Sequence, residues 1–220
     1  MTAIGERRSN ISGDLHDIVR QRIVDGVLPP GTRVNEVHLA ADLGISRTPL
    51  REALSQLTAE GFLDNKPRRG FFTRPLSVRE VAQLYPLRAF LDPQALRMAG
   101  LPTTERIAKL RRLNEQIAAA SRKTARAIDL DDRWHRLLLA DCENEILLGF
   151  IDQIIWKTRR YEFAYLKQAK HVDVATAEHD AILAALENRQ MELACERLAQ
   201  NMTSAREPLI AWLKKRENQQ

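Results

Sequence analysis

Between Leu39 and Pro49 the chain reads Leu-Ala-Ala-Asp-Leu-Gly-Ile-Ser-Arg-Thr-Pro. That stretch has room for the end of one helix, a glycine turn and the capped start of another. Gly44 takes the left-handed conformation that stops a helix without steric cost. Ser46 stands at the N-cap position of the next helix, and Pro49 falls in its first turn. Two helices joined this tightly cross at a steep angle, which is the spacing of a helix-turn-helix.

The flanking sequence completes a small domain. A first helix is expected from about Gly13 to Gly26, with Leu15, Val19 and Ile23 on one face. Leu28-Pro29-Pro30-Gly31 breaks it. A short second helix begins near Glu36, and a third runs from Arg47 to Glu60 with Leu50, Ala53, Leu54 and Leu57 inward. Phe62–Asp64 and Phe71–Thr73 read as two short strands around the basic turn Asn65-Lys66-Pro67-Arg68-Arg69-Gly70.

A recognition helix needs small polar groups and arginine in its first turn, where it meets base edges. Ser46, Arg47, Thr48 and Arg51 supply them. Arg47 and Arg51 share a helix face at i, i+4, and either guanidinium can fork onto guanine O6 and N7. The hydroxyls and the helix N-terminus suit phosphate oxygens. Lys66, Arg68 and Arg69 form a basic wing tip, and Gly70 permits close approach. The stretch from Ser46 through Phe72, SRTPLREALSQLTAEGFLDNKPRRGFF, closely resembles the recognition helix and wing of the GntR superfamily of bacterial regulators. The resemblance covers about Leu15 to Pro75. It implies operator contacts from Ser46, Arg47, Thr48 and Arg51, with Arg69 and Gly70 at the wing tip.

After Arg74-Pro75-Leu76-Ser77 only helical patterns remain, so the chain is read as residues 1–75, a winged helix-turn-helix, and residues 76–220, an all-α unit. Six helices are expected: 77–99, 103–122, 125–141, 144–166, 172–188 and 190–216. Pro86 and Pro93 interrupt the first, Thr103 and Asn144 cap two others, and the fold class is mainly α with a small β-hairpin. There is no Gly-rich phosphate loop and no nucleophile elbow. The chain has 220 residues, 29% of them charged, with a net charge of +5, and no apolar run long enough for a membrane span. The polar start MTAIGERRSN lacks the apolar core of a secretory signal. Cys142 and Cys195, the two cysteines, form no CxxC pair. A cytoplasmic protein with reduced thiols is expected.

Polar groups stand out on apolar helices of the second unit. Asp131 and His135 lie four apart on one face, and His179 sits on a later helix beside Ile182, Leu183 and Leu186. A carboxylate with imidazoles suits a borderline divalent ion, although spacing alone equally fits a surface pair and a solvated histidine. Asp131-x-x-x-His135, then Asn144, then Glu178-His179-x-x-Ile182-Leu183 resemble the helical FCD sensor domain of FadR-type GntR regulators, over about Val78 to Ala205. Six helices would match its smaller, VanR-like variant. The resemblance implies a divalent metal of the zinc, nickel or manganese class, held by one Asp and three His. Asp131, His135 and His179 match; Asn201 stands where the last histidine is expected. Arg88, in YPLRAFLDPQAL, falls where that domain usually carries an arginine, and its planar fork suits an effector carboxylate; the competing role is an ion pair with Asp92. Arg159, Arg160 and Tyr161 are further candidates for the cavity wall.

The function expected is a homodimeric regulator reading a short DNA palindrome under control of a small carboxylate effector, and not an enzyme. Two alternatives are a metal-dependent enzyme on a helical bundle and a DNA-binding regulator whose sensor no longer binds a ligand.

Overall fold

The computed structural model describes residues 15–120, 124–166 and 173–218. The chain divides into two compact units between Leu76 and Ser77.

In the first unit, helix α1 spans residues 15–24, α2 Glu36–Asp42 and α3 Arg47–Ala59. Gly13, the expected start of α1, lies outside the described residues. Strands β1 (Leu63–Lys66) and β2 (Gly70–Thr73) pair antiparallel, Leu63 opposite Thr73 and Lys66 opposite Gly70. The hairpin is longer than its sequence suggests. Asn65, Lys66 and Gly70 join the ladder, and only residues 67–69 make the turn. Polar strand ends carry little hydrophobic alternation, so pattern alone misses them. Gly44 has φ +66 and nothing near its missing Cβ, so the left-handed backbone itself calls for glycine there. Leu50, Leu54, Leu57, Phe62, Leu63 and Phe71 are fully or almost fully buried and pin the hairpin to α3.

The second unit contains α4 (Val78–Ala99), α5 (Thr104–Ala119), α6 (Thr124–Leu138), α7 (Glu145–Leu166), α8 (Asp173–Glu187), α9 (Met191–Ser204) and α10 (Arg206–Glu217). Side-chain oxygens of Ser77, Thr103 and Asn144 accept from the backbone amides of Glu80, Arg106 and Leu147, starting α4, α5 and α7. Helix α4 runs through both Pro86 and Pro93. It packs on α7, α9 and α10, while α5 lies against α6 and α8, and α8 against α9. The core between them holds Leu96, Leu110, Ile117, Trp134, Leu138, Ile182, Leu183 and Leu198. Burying each such side chain is worth about 1.5–3 kcal/mol.

Among the described residues this unit has seven helices where the sequence reading expects six. The last expected helix is broken at Ala205 into α9 and α10. Pro208 has no amide to donate to the Ser204 carbonyl, so the ladder cannot run on across the break. The hydroxyls of Thr203 and Ser204 also turn onto the carbonyls at the end of α9. The expected range 190–216 is otherwise kept, since α9 and α10 together run from Met191 to Glu217.

Candidate functional site

On the first unit, Ser46 occupies the N-cap of α3 in extended conformation, yet its side chain makes no capping hydrogen bond. Ser46, Arg47, Thr48 and Arg51 are all exposed on the first turns of α3. The two arginines converge on Glu36 of α2, with Arg51 Nε 3.3 Å and Arg47 Nη2 3.9 Å from Glu36 Oε2. Glu36 was not picked out from the sequence, where it reads as an ordinary acid at a helix start. It aligns both guanidinium groups without burying them. At the wing tip Lys66, Arg68 and Arg69 are exposed, and Lys66 and Arg69 lie over the ring of Phe72, at 4.5 and 5.7 Å from its centroid. Arg68 and Gly70 both have positive φ. Gly70 therefore serves the turn first; a Cβ there would also meet Glu36 Oε1 at 3.4 Å.

The second unit holds a cavity of about 210 Å³ lined by residues of all seven described helices, α4 to α10. Its polar wall is Tyr85, Arg88, Asp131, His135, Glu162 and Asn201. The break between α9 and α10 contributes Ser204, Ala205 and Pro208 to the same wall. Asp131, His135 and His179 each offer a ligand atom within 4.8 Å of the others. His179 Nε2 is 3.5 Å from Asp131 Oδ1, and His135 Nε2 is 3.7 Å from Asp131 Oδ2.

Two amides fix this cluster. Asn114 of α5 donates through Nδ2 to the Thr176 carbonyl and to Asp180, each at 2.9 Å. Its Oδ1 must therefore face His179 Nδ1, 3.1 Å away, which makes Nδ1 the protonated ring nitrogen and leaves the Nε2 lone pair for the cluster. Asn201 donates to Glu178 at 2.7 Å, so its Oδ1 turns the other way, buried and without a partner. Trp134, wholly buried, stacks on the His179 ring at 3.8 Å between centroids and 7° between planes. Neither Asn114 nor Trp134 was read from the sequence as part of a site, because their partners come from other helices.

Burial sets the protonation states. It pushes His179 down to about 3, and it holds His135 well below the usual range, with help from Arg88. Both rings are thus neutral donors at pH 7. Asp131 is pushed up to about 7, by burial and then by Glu162, against the pull of Arg88.

The buried, unpartnered Nε2 of His179 and Oδ1 of Asn201, with the Asp131 carboxylate close by, fit a divalent cation. Arg88 lines the cavity and donates to the wholly buried Asp92 at 2.8 Å, so the ion pair weighed for it forms at the cavity wall. Arg159, Arg160 and Tyr161 are not on the wall. Arg159 pairs with Asp132 at 2.6 Å and with Asp129, Arg160 lies over Tyr161, and Tyr161 bonds to Glu80. Glu162, next along α7, faces the cavity instead. One residue turns a helix face by about 100°, and the sequence around α7 is apolar on too many sides to fix that angle.

Residues 12–73 match the gntR family of bacterial regulatory proteins, and residues 83–204 match the FCD domain. The chain belongs to the GntR family of bacterial transcriptional regulators and carries an FCD domain. It is 44% identical over 132 residues to the Nta operon transcriptional regulator of Aminobacter aminovorans, a match spanning 59% of this chain and 63% of that relative, under two thirds of its length. It is 28% identical over 193 residues to a probable D-xylose utilization operon transcriptional repressor of Paenarthrobacter nicotinovorans, covering 85% and 83% of the two chains. Its fold is that of McbR/YncC from E. coli, with a TM-score of 0.80 at 22% identity over 92% of this chain and 98% of the other. No described helix is long and apolar enough to cross a membrane.

Proposed function

We propose that residues 1–75 bind a palindromic operator as half of a homodimer, and that residues 76–220 sense a small organic acid beside a divalent metal. The observation that carries the sensing reading is the cavity itself, a half-open space lined by an arginine, carboxylates, a histidine and an asparagine, with the Asp131–His135–His179 cluster at its wall. Structureless packing has no need of such groups; buried polar atoms without partners are costly unless a ligand completes them.

Asp131, His135 and His179 hold the metal, and Asn201 adds an amide oxygen. A bound divalent ion supplies positive charge for a ligand carboxylate. Arg88, kept in place by Asp92, presents its remaining N–H groups to the same carboxylate. On the DNA side, Arg47 and Arg51 read bases, Ser46 and Thr48 hold phosphate, and Lys66, Arg68, Arg69 and Gly70 form the wing. Dimerisation is supported by an apolar exposed face. Leu87, Phe90 and Met98 of α4 and Ile146 and Phe150 of α7 are 47–75% exposed, and the two helices pack side by side. Contiguous apolar surface of this kind marks association.

The test is metal content after dialysis against limiting chelator. Wild type retains a divalent ion, His135→Ala loses it, and Asn201→His retains it more tightly because a neutral imidazole replaces a weaker amide donor. Equal, metal-free preparations of wild type and His135→Ala would remove the metal from the reading.

A further inference from the structure

The cavity wall carries more acid than base. Among the described residues Arg88 is its one cationic side chain, and the wholly buried Asp92 already holds it. Behind the wall, Arg159 is held by Asp132 and Asp129. Among the described residues these two arginines are the cations that act on Glu162, so its carboxylate shares both of them with other acids. Glu162 accepts a hydrogen bond from the Tyr85 hydroxyl at 3.2 Å. Tyr85 and Arg88 sit three apart on one face of α4, so Glu162 and Arg88 are neighbours on the wall.

Unbalanced charge is costly in so small a cavity, where several of the acids and Arg88 are buried. Among the described groups Asp92 offsets Arg88, Asp132 and Asp129 more than offset Arg159, and Asp131, Glu162 and Glu178 remain. A divalent cation on Asp131 offsets two of these three charges at most. A simple carboxylate then adds an uncompensated negative charge, whereas a molecule that carries its own cation does not. Arg88 Nε, on a residue more than nine-tenths buried, remains unpartnered there, a donor on the wall that an acceptor can complete.

We propose that the effector is a small amino-bearing carboxylic acid, its carboxylate on Arg88 and its protonated amine on the Glu162 carboxylate. The proposal rests on the organic-acid reading above and specifies its ligand class. The Tyr85 hydroxyl holds Glu162 in place, and its oxygen has a lone pair free for the same amine. The volume, below the ~300–1,000 Å³ of pockets for drug-sized ligands, limits the occupant to a short skeleton.

The experiment titrates the full chain, with manganese present, against acids paired by carbon skeleton: L-alanine and propionate, 4-aminobutyrate and butyrate, L-glutamate and glutarate. Thermal shift ranks them, since a ligand of the folded state raises stability, and calorimetry gives Kd. At least one amino acid should bind tenfold or more tightly than its partner. Glu162→Gln keeps an acceptor for Tyr85 and should erase that preference without weakening the simple acid. If the simple acids bind as well as the amino acids, the amine subsite is wrong and the organic-acid reading stands. If Glu162→Gln keeps the preference, Glu162 is not the anchor. If neither series binds, both readings fall.

Discussion

At the scale of single residues, the two sites depend on side chains that a neighbour orients. Glu36 lines up Arg47 and Arg51, both still open to solvent. Arg51→Ala and Arg47→Ala should each cost operator affinity about 1–3 kcal/mol and relax base preference. Lys66→Ala and Arg68→Ala should weaken operator and random DNA alike and lower the salt slope by about one unit each. Binding titrations on both DNAs over a salt series separate the two classes; equal losses on both DNAs for Arg51→Ala would place it on the backbone. In the second unit Asn114 does for His179 what Glu36 does for the arginines. Asn114→Leu leaves the ring free to choose either tautomer. Metal affinity should drop 10–100-fold, the usual cost of losing an outer-shell partner. Nitrogen NMR of His179 should change from one protonated nitrogen to a mixture, a result that mere loosening of α5 would not give. Residue types were legible in the sequence wherever one helix carries the pattern, as with Asp131 and His135. Asn114, Trp134 and Glu162 were not, because each earns its role by facing another helix.

Among elements, the helices with caps and breakers at both ends were the ones the sequence placed well. Ser77, Thr103 and Asn144 start their helices through side-chain oxygens, and Gly44 and Gly100 close theirs at positive φ. The α9–α10 break was missed because apolar spacing runs through it, from Leu198 and Met202 to Leu209 and Leu213, all buried. Periodicity reports which side faces the core, and the core wants both helices on the same side. Exposed faces of α4 and α7 tell the opposite story. Phe90 and Phe150 are 66% and 55% exposed, and a folded unit of this size has no internal use for them. Phe90→Glu and Phe150→Glu should each shift the protein from dimer to monomer in sedimentation while leaving helix content unchanged, since neither ring is in the core. A dimer that persists in the double variant would move the interface elsewhere.

For the molecule as a whole, protonation and ligand capture are linked. The histidines are already neutral at pH 7, but Asp131, pushed up to about 7, shares its oxygen with a proton near neutrality. A cation must displace that proton. Apparent metal affinity should therefore rise about tenfold per pH unit up to roughly 7 and flatten above it, because one proton leaves per ion bound. Competition with a chelator of known pH dependence measures this slope; a flat profile from pH 5.5 to 7 would mean that Asp131 is ionised before the ion arrives. On the proposed function, such capture feeds regulation of transcription by a chain with GntR and FCD domains. Finally, Trp134 lies flat against the His179 ring. An indole pressed on an imidazole is an optical probe that needs no dye. Once a positive ion fastens to that imidazole, electron density is drawn from the face the indole touches, and its ultraviolet emission changes colour and brightness. The chain has 3 tryptophans, and this one lies against a candidate ligand, so occupancy can be followed by light in the unlabelled protein.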